Sequence, residues 1–337
     1  MTKRSLELTI AHTALKNERN MRKGIYQLAG MSLLLSVGLM GCESPDTNST
    51  AGEAPKVVTT TTMITDWTEN IVGDNVEVVP LLDAGDDPHV YEPVPQDSQN
   101  IEEADLILYN GHDLEPELIR LIEGAGEDTR QLAVGEIISP LDESAMEEGE
   151  TEFVPDPHVW GDVENVIVMS EAIAEELAAV SPENEEVYQE NLEEYTAELE
   201  ELHDWIGEQI ETIPSENRKL VTTHDAFQYY AEAYGLEVVG TLIGISTEEQ
   251  PSAQTVGRLA STVRETGVTT IFAEALINPR LIETVAEEAN VELAEEELYG
   301  DAIGEPGSDG DTYIKMMEAN TRTIVTNLGG NHTPFQE

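Results

Sequence analysis

Cysteine is nearly absent from this chain of 337 residues: Cys42 stands alone. An internal disulfide and a thiolate metal cluster are therefore both excluded. Cations are scarce as well, with 16 lysines and arginines against 69 aspartates and glutamates. Beyond residue 41 the balance is 67 acids to 10 bases, a net of −57, and only Lys56, Lys219 and Lys315 remain as lysines. Such a surface should repel nucleic acid and anionic lipid. It suits a protein that works in high salt, where counterions screen self-repulsion. Disorder is the other outcome of high charge. Against it stand a 39% apolar fraction and apolar residues that recur with regular periods. Long apolar runs are missing beyond residue 41, so nothing there is long enough to span a bilayer. Histidine is rare too, seven in all, with none in the acidic run at residues 142–152. That run reads as a loop.

The N-terminus is the exception in charge and in hydropathy. Arg22-Lys23 precedes a mostly apolar run over residues 25–40 that ends in Leu39-Met40-Gly41-Cys42. A positive start, a short apolar stretch and small residues before the cut describe a secretory signal peptide. The cysteine at the cut resembles a bacterial lipobox, which implies cleavage before Cys42 and lipidation of its sulfur. The competing reading is a buried N-terminal helix with an incidental cysteine. Met21 is the more ordinary signal start, so residues 1–20 are a candidate over-called beginning. Residues 43–54 are small and polar and read as a tether.

From Lys56 onward, short β-branched runs alternate with helical patterns. Strands are expected at residues 57–64, 76–82, 105–109, 219–223, 237–242, 268–273 and 291–293. Helices are expected at 98–103, 114–123, 163–180, 226–234, 253–265, 280–289 and 311–328. Strand-helix alternation in both halves predicts an α/β fold of two lobes with mainly parallel sheets. Between the halves runs one apolar stripe: Tyr188, Leu192, Tyr195, Leu199, Leu202, Ile206, Ile210 and Ile213. Its steps of three and four predict one continuous helix over 183–213, with Ser181 as cap, Pro182 in the first turn and Pro214 as the stop. A coiled-coil dimer would use the same stripe; a helix laid across two lobes explains it within one chain, as a monomer. The expected organisation is a signal peptide at 1–41, lipidated cysteine and tether at 42–55, a first lobe at 56–181, a connector at 182–214 and a second lobe at 215–337.

The tripeptide Asp-Pro-His occurs twice, as Asp87-Pro88-His89 and Asp156-Pro157-His158. Proline fixes the backbone dihedral just before the histidine, and histidine is the commonest metal-binding side chain. Taken singly, His89 is a surface loop residue and His158 a helix-entry residue stacked on Trp160. A third histidine, His224, follows the expected strand 219–223, and open α/β sheets bind ligands beyond the carboxyl ends of their strands. Asp301, a turn aspartate by itself, follows the last expected strand of the second half. Each half supplies two candidates, so the four can meet only in a cleft between lobes. Three imidazoles and a carboxylate form a closed donor set for a divalent first-row metal. His12, His112, His203 and His332 lack this context, and His203 is read as a solvated residue beside the stripe.

These segments, together with His224-Asp225-Ala226-Phe227-Gln228-Tyr229-Tyr230, Gly244-Ile245-Ser246-Thr247 and residues 301–307 with Asp311-Thr312-Tyr313, resemble the metal-binding lipoproteins of bacterial ABC importers for zinc and manganese, the cluster A-I solute-binding family. The resemblance covers essentially everything after Lys56. It implies that His89, His158, His224 and Asp301 bind the transported metal. It also implies a single rigid connecting helix, a lipid anchor at Cys42, a membrane permease with its ATPase as partners, and a location on the outer face of the membrane. Imidazole suits zinc, whereas manganese prefers more oxygen. Manganese-dedicated relatives often carry glutamate in place of His224, which leans the set towards Zn2+. The missing histidine-rich loop of many zinc-dedicated relatives leaves Mn2+ admissible. Two alternatives remain open. A secreted zinc hydrolase needs an open metal position and a placed general base; Glu274 is the best available acid, and it reads equally as support for a ligand or as structural. A surface adhesin is the other, with no residues that encode it.

Overall fold

A computed structural model describes residues 54–141 and 155–335. The signal segment, Cys42 and the acidic run at 142–152 lie outside these residues. In the first lobe, strands β1 (Lys56–Thr59), β2 (Glu77–Pro80), β3 (Leu106–Tyr109) and β4 (Arg130–Ala133) form one parallel sheet in the order β2-β1-β3-β4. Helices α1 (Thr62–Val72), α2 (Pro95–Glu102) and α3 (Pro116–Ala125) make the crossovers. Parallel neighbours need such crossovers because their ends lie at opposite edges of the sheet. The direction of winding reverses between β1 and β3, which opens a crevice at the carboxyl ends of those strands.

The second lobe repeats the plan, with its last two strands only two residues long. β5 (Lys219–Thr222) pairs with β6 (Glu237–Thr241), and β7 (Thr270–Ile271) pairs with β8 (Glu292–Leu293), all parallel. Phe272 donates its N–H to the Val221 carbonyl at 2.9 Å. That bond sets the two pairs side by side as β6-β5-β7-β8, the same winding as the first lobe. The helices here are α6 (Gln228–Tyr234), α7 (Ala253–Thr266), α8 (Arg280–Ala289) and α9 (Tyr313–Asn327).

Helix α4 (Val163–Val180) follows the second Asp-Pro-His turn, and the connector α5 (Glu185–Glu211) follows α4. The connector has 27 residues, roughly 40 Å at 1.5 Å per residue. It is shorter than its sequence pattern at both ends. Ser181 ends α4 rather than starting α5: its N–H donates to the Leu177 carbonyl at 2.8 Å, and its hydroxyl accepts from the Asn184 side chain at 2.8 Å. Pro182–Asn184 forms a separate 3-10 turn. At the far end Thr212 and Ile213 bond three residues back, to Gln209 and Ile210, so the last turn tightens although Ile213 stays buried.

The stripe is buried as its spacing requires, except for the partly buried Leu192. It joins one core with Trp67 and Ile71 of α1, Ile173 of α4 and Tyr313, Met317 and Ile324 of α9. The two lobes therefore share a hydrophobic core along the connector. Smaller clusters fill each lobe separately. Polar bonds add to the junction: Tyr313 N–H donates to Asp66 Oδ2 at 3.2 Å, and Ile303 N–H donates to Thr62 Oγ1 at 3.0 Å.

Two elements differ from the sequence pattern in kind. Residues 57–64 read as one β-branched strand, but the strand stops at Thr59 and α1 begins at Thr62. Threonine is also a capping residue. Thr61 is extended, and its hydroxyl accepts the Ile64 N–H at 3.3 Å. Strand β4 was hidden because Arg130-Gln131-Leu132-Ala133 carries no β-branched residue; pairing with β3 creates it. The expected strand at 268–273 keeps only Thr270–Ile271 in the ladder. None of the helices among the described residues is long and apolar enough to cross a membrane.

Candidate metal centre

The winding of the two sheets brings the four singled-out residues to one place. His89 follows β2, His158 precedes α4, His224 follows β5, and Asp301 follows β8. One donor atom of each lies within 4.8 Å of those of the others. The Nε2 atoms of His89 and His158 are 3.3 Å apart. Asp301 directs both oxygens into the group: Oδ2 lies 3.1 Å from His224 Nε2 and 3.7 Å from His89 Nε2, and Oδ1 lies 3.4 Å from His158 Nε2. All four side chains are buried. Neither His224 Nε2 nor Asp301 Oδ1 makes a well-aligned hydrogen bond; their close contacts are the ion-pair distances within the group itself, and an ion at the centre would satisfy both buried atoms.

Three carboxylates hold the histidines. Asp87 Oδ1 accepts the backbone N–H of His89 at 3.0 Å. Asp156 Oδ1 accepts the backbone N–H of His158 at 3.0 Å and also sits 2.7 Å from its ring Nδ1. Glu274 does the same for His224 from fifty residues away, with Oε1 on the backbone N–H at 2.7 Å and Oε2 on ring Nδ1. Glu274 lies just beyond β7, the neighbour of β5, so the order of the strands and not the sequence puts the pair together. A carboxylate on Nδ1 fixes the tautomer and aims Nε2 at the centre.

Further bonds fix the turns. Asn110, at the end of β3, donates its side-chain amide to the Pro157 carbonyl at 3.0 Å. Its own N–H is held by buried Glu115 at 2.7 Å. Trp160 packs edge-on to the His158 ring and donates from its indole to the Gly300 carbonyl at 3.2 Å. Gly300 has to be glycine, because a Cβ there would lie 2.8 Å from Glu274 Oε2 and 3.2 Å from His224 Cε1.

The protonation of the site follows from its charges. Burial opposes charge on His158, but the Asp156 and Asp301 carboxylates outweigh it and lift its pKa to about 9. Burial likewise opposes charge on His224, and Asp301 and Glu274 override it, holding the pKa well above the usual imidazole value. For His89 burial wins, and the pKa falls to about 4 despite Asp301. Burial would raise Asp301, but His224 and His158 hold it well below the usual carboxylate range.

The other described histidines stay apart from this group. His203 is half-buried, with Nδ1 3.3 Å from the Tyr234 hydroxyl, so the solvated position expected from the stripe is corrected: α6 covers it. His332 packs on Trp205, and His112 occupies a left-handed turn with φ 51°. His12 lies outside the described residues. The sequence left the roles of Asn110, Asp156 and Gly300 unread. For Asp156 the signal was available, in an aspartate two residues before each of two histidines.

Residues 57–327 match the family of the periplasmic zinc-uptake complex component A, ZnuA. The chain belongs to the ZnuA family. It is 35% identical over 297 residues to the manganese-binding lipoprotein MntA of Halalkalibacterium halodurans, covering 88% of this chain and 96% of that one. It is 34% identical over 299 residues to the manganese ABC transporter substrate-binding lipoprotein PsaA of Streptococcus pneumoniae, with the same coverage. Among solved structures, the periplasmic zinc binding protein TroA from Treponema pallidum superposes with a TM-score of 0.75 at 33% identity, over 82% of this chain and 99% of that one. The ZnuA family supplies the solute-binding part of importers, so this chain is no enzyme and the hydrolase alternative falls away.

Proposed function

We propose that this chain is the extracytoplasmic substrate-binding lipoprotein of an ABC importer. It captures Zn2+ or Mn2+ between its lobes and delivers the ion to a membrane permease driven by an ATPase. The ligands are His89, His158, His224 and Asp301. The observation that carries this reading is the meeting of three imidazole Nε2 atoms and one carboxylate, all buried. Four protein donors close the site around a cargo ion, whereas catalytic zinc keeps a position open for water. Three nitrogens favour zinc, and both oxygens of Asp301 facing inward suit manganese as well. The names of the relatives divide between the two metals in the same way.

Residues 56–181 and 215–337 serve as the two lobes and 182–214 as the connector. The mature protein is a monomer that begins at Cys42, whose lipid holds it on the outer face of the membrane. Two measurements test the proposal. Calorimetric titration with Zn2+ and Mn2+ should show one site, and Ala at any of the four ligands should weaken it by more than ~10-fold, or ~1.4 kcal/mol; wild-type affinity in His158→Ala or His224→Ala would remove the two-lobe site. Mass spectrometry of membrane-purified protein should find lipid on Cys42, and an unmodified thiol there would remove the anchor.

A further inference from the structure

The segment between β6 and α7 connects the ligand turns of the two lobes. Its start is tied around His224. Leu242 and Ile243 both donate N–H bonds to the Thr223 carbonyl, at 3.1 and 2.9 Å, and Asp225 N–H donates to the Gly244 carbonyl at 3.2 Å. Its far end is a turn in which Glu249 N–H donates to the Ser246 carbonyl at 3.3 Å. That turn aims Thr247 at the first lobe. The Thr247 hydroxyl donates to Asp87 Oδ2 at 2.6 Å across the cleft, while Asp87 Oδ1 is occupied by the His89 N–H. One carboxylate thus binds the His89 turn with one oxygen and the opposite lobe with the other.

The location of this bond gives it a consequence. His158 and His224 have their rings gripped by carboxylates, at 2.7 Å for Asp156 and in close contact for Glu274. Asp87 grips His89 by its backbone. His89 is also the ligand turn beside solvent: Val90, the next residue, is 48% exposed. An ion leaving the site passes most readily where the ligand turn is outermost and its ring least restrained.

We propose that Thr247 is a positioning residue that latches the His89 turn across the cleft and so sets the rate at which bound metal leaves. The latch rests on the metal-capture reading above. It acts on departure because breaking this bond releases the His89 turn from the opposite lobe.

The test is stopped-flow release of Zn2+ and of Mn2+ from the full-length protein in detergent, with a chelator in excess. Thr247→Val keeps the shape and removes the donor. Release should accelerate roughly tenfold, about what a partly exposed hydrogen bond to a charged acceptor is worth. Association should stay within about twofold of wild type. Thr247→Ser restores the hydroxyl and should restore slow release. In an Asp87→Ala background Thr247→Val should add nothing, since the acceptor is gone. Release from Thr247→Val at the wild-type rate overturns the latch. So does a serine variant as fast as valine, or a loss of affinity that lies wholly in association. A wild-type protein that takes up neither metal overturns the capture reading, and the latch falls with it; wild-type uptake with unaltered release from the valine variant overturns the latch alone.

Discussion

The two Asp-Pro-His turns share three residues and differ in everything around them. In both, the aspartate accepts the histidine backbone N–H at 3.0 Å, so the tripeptide alone dictates the turn. At residues 156–158 the same aspartate oxygen also reaches the imidazole, the ring is fully buried, and Asn110 of the same lobe holds the proline carbonyl. At residues 87–89 the aspartate turns its second oxygen to Thr247 of the other lobe. One turn builds a ring fixed from within its lobe, and the other builds a ring whose anchor spans the cleft. The charges follow the same division, with His158 lifted to about 9 and His89 lowered to about 4. Identical local sequence thus yields one histidine held by its ring and its backbone and another held by its backbone alone.

The largest effect should separate the two aspartates. Asp156→Ala frees the His158 ring, so under the proposed ligation metal affinity should fall towards ~100-fold, the upper range for groups that orient ligands. Asp87→Ala should cost nearer ~10-fold, at the lower end of that range. Titration calorimetry on both variants checks the order; equal losses would erase the distinction between the turns.

Proton release gives a sharper view at intermediate size. A ligating imidazole must be neutral, and in the empty site His158 and His224 hold their protons at pH 7 because their pKa values are raised. Metal uptake at pH 7 should therefore expel ~2 protons and tighten as pH rises to about 9. Titration in buffers of different ionisation enthalpy counts the protons. Asp156→Ala should reduce the count, whereas Asp87→Ala should leave it unchanged, since His89 is already neutral. The sign for the empty protein is the reverse. A His158 pKa raised above 6.5 stabilises the fold fully below that value, and the contribution disappears as pH climbs through about 9. Asp301, with its pKa lowered, contributes above 3.8 and loses that only as pH falls through its depressed value. The melting temperature of the apo protein should thus decline between pH 6.5 and 9, and a rising curve would contradict the charge assignment.

The smallest effect on binding belongs to Asn110. Asn110→Ala leaves the Pro157 and Gly111 carbonyls with less to bond, at a cost of ~1–3 kcal/mol in stability. Metal affinity should drop only a few-fold, because Asp156 still holds the ring. Denaturant unfolding beside titration separates the two; a binding loss as large as that of Asp156→Ala would make the loop, and not the carboxylate, the true anchor of His158.

Much of the molecule could be read from residue patterns because its causes are local. The stripe from Tyr188 to Ile213 has the period of a helix face, and it is buried because a face of that length needs a partner. The Asp-Pro-His turns could be read because the aspartate, the proline and the histidine act within three residues. The strand expected over 57–64 was misread where threonine serves both strands and caps, and β4 was missed because only its neighbour makes it a strand.

By itself, the sequence determined the two-lobed α/β alternation, the connector and the four residues of the candidate centre. Tertiary structure alone decided how each residue of that candidate centre is held. Glu274 meets His224 because β7 lies beside β5, Asn110 meets Pro157 because β3 ends beneath that turn, and Thr247 meets Asp87 only across the cleft. Hydrogen bonds act over about 3 Å, so residues 50, 47 and 160 positions apart acquire a role only once the strand order has set them side by side.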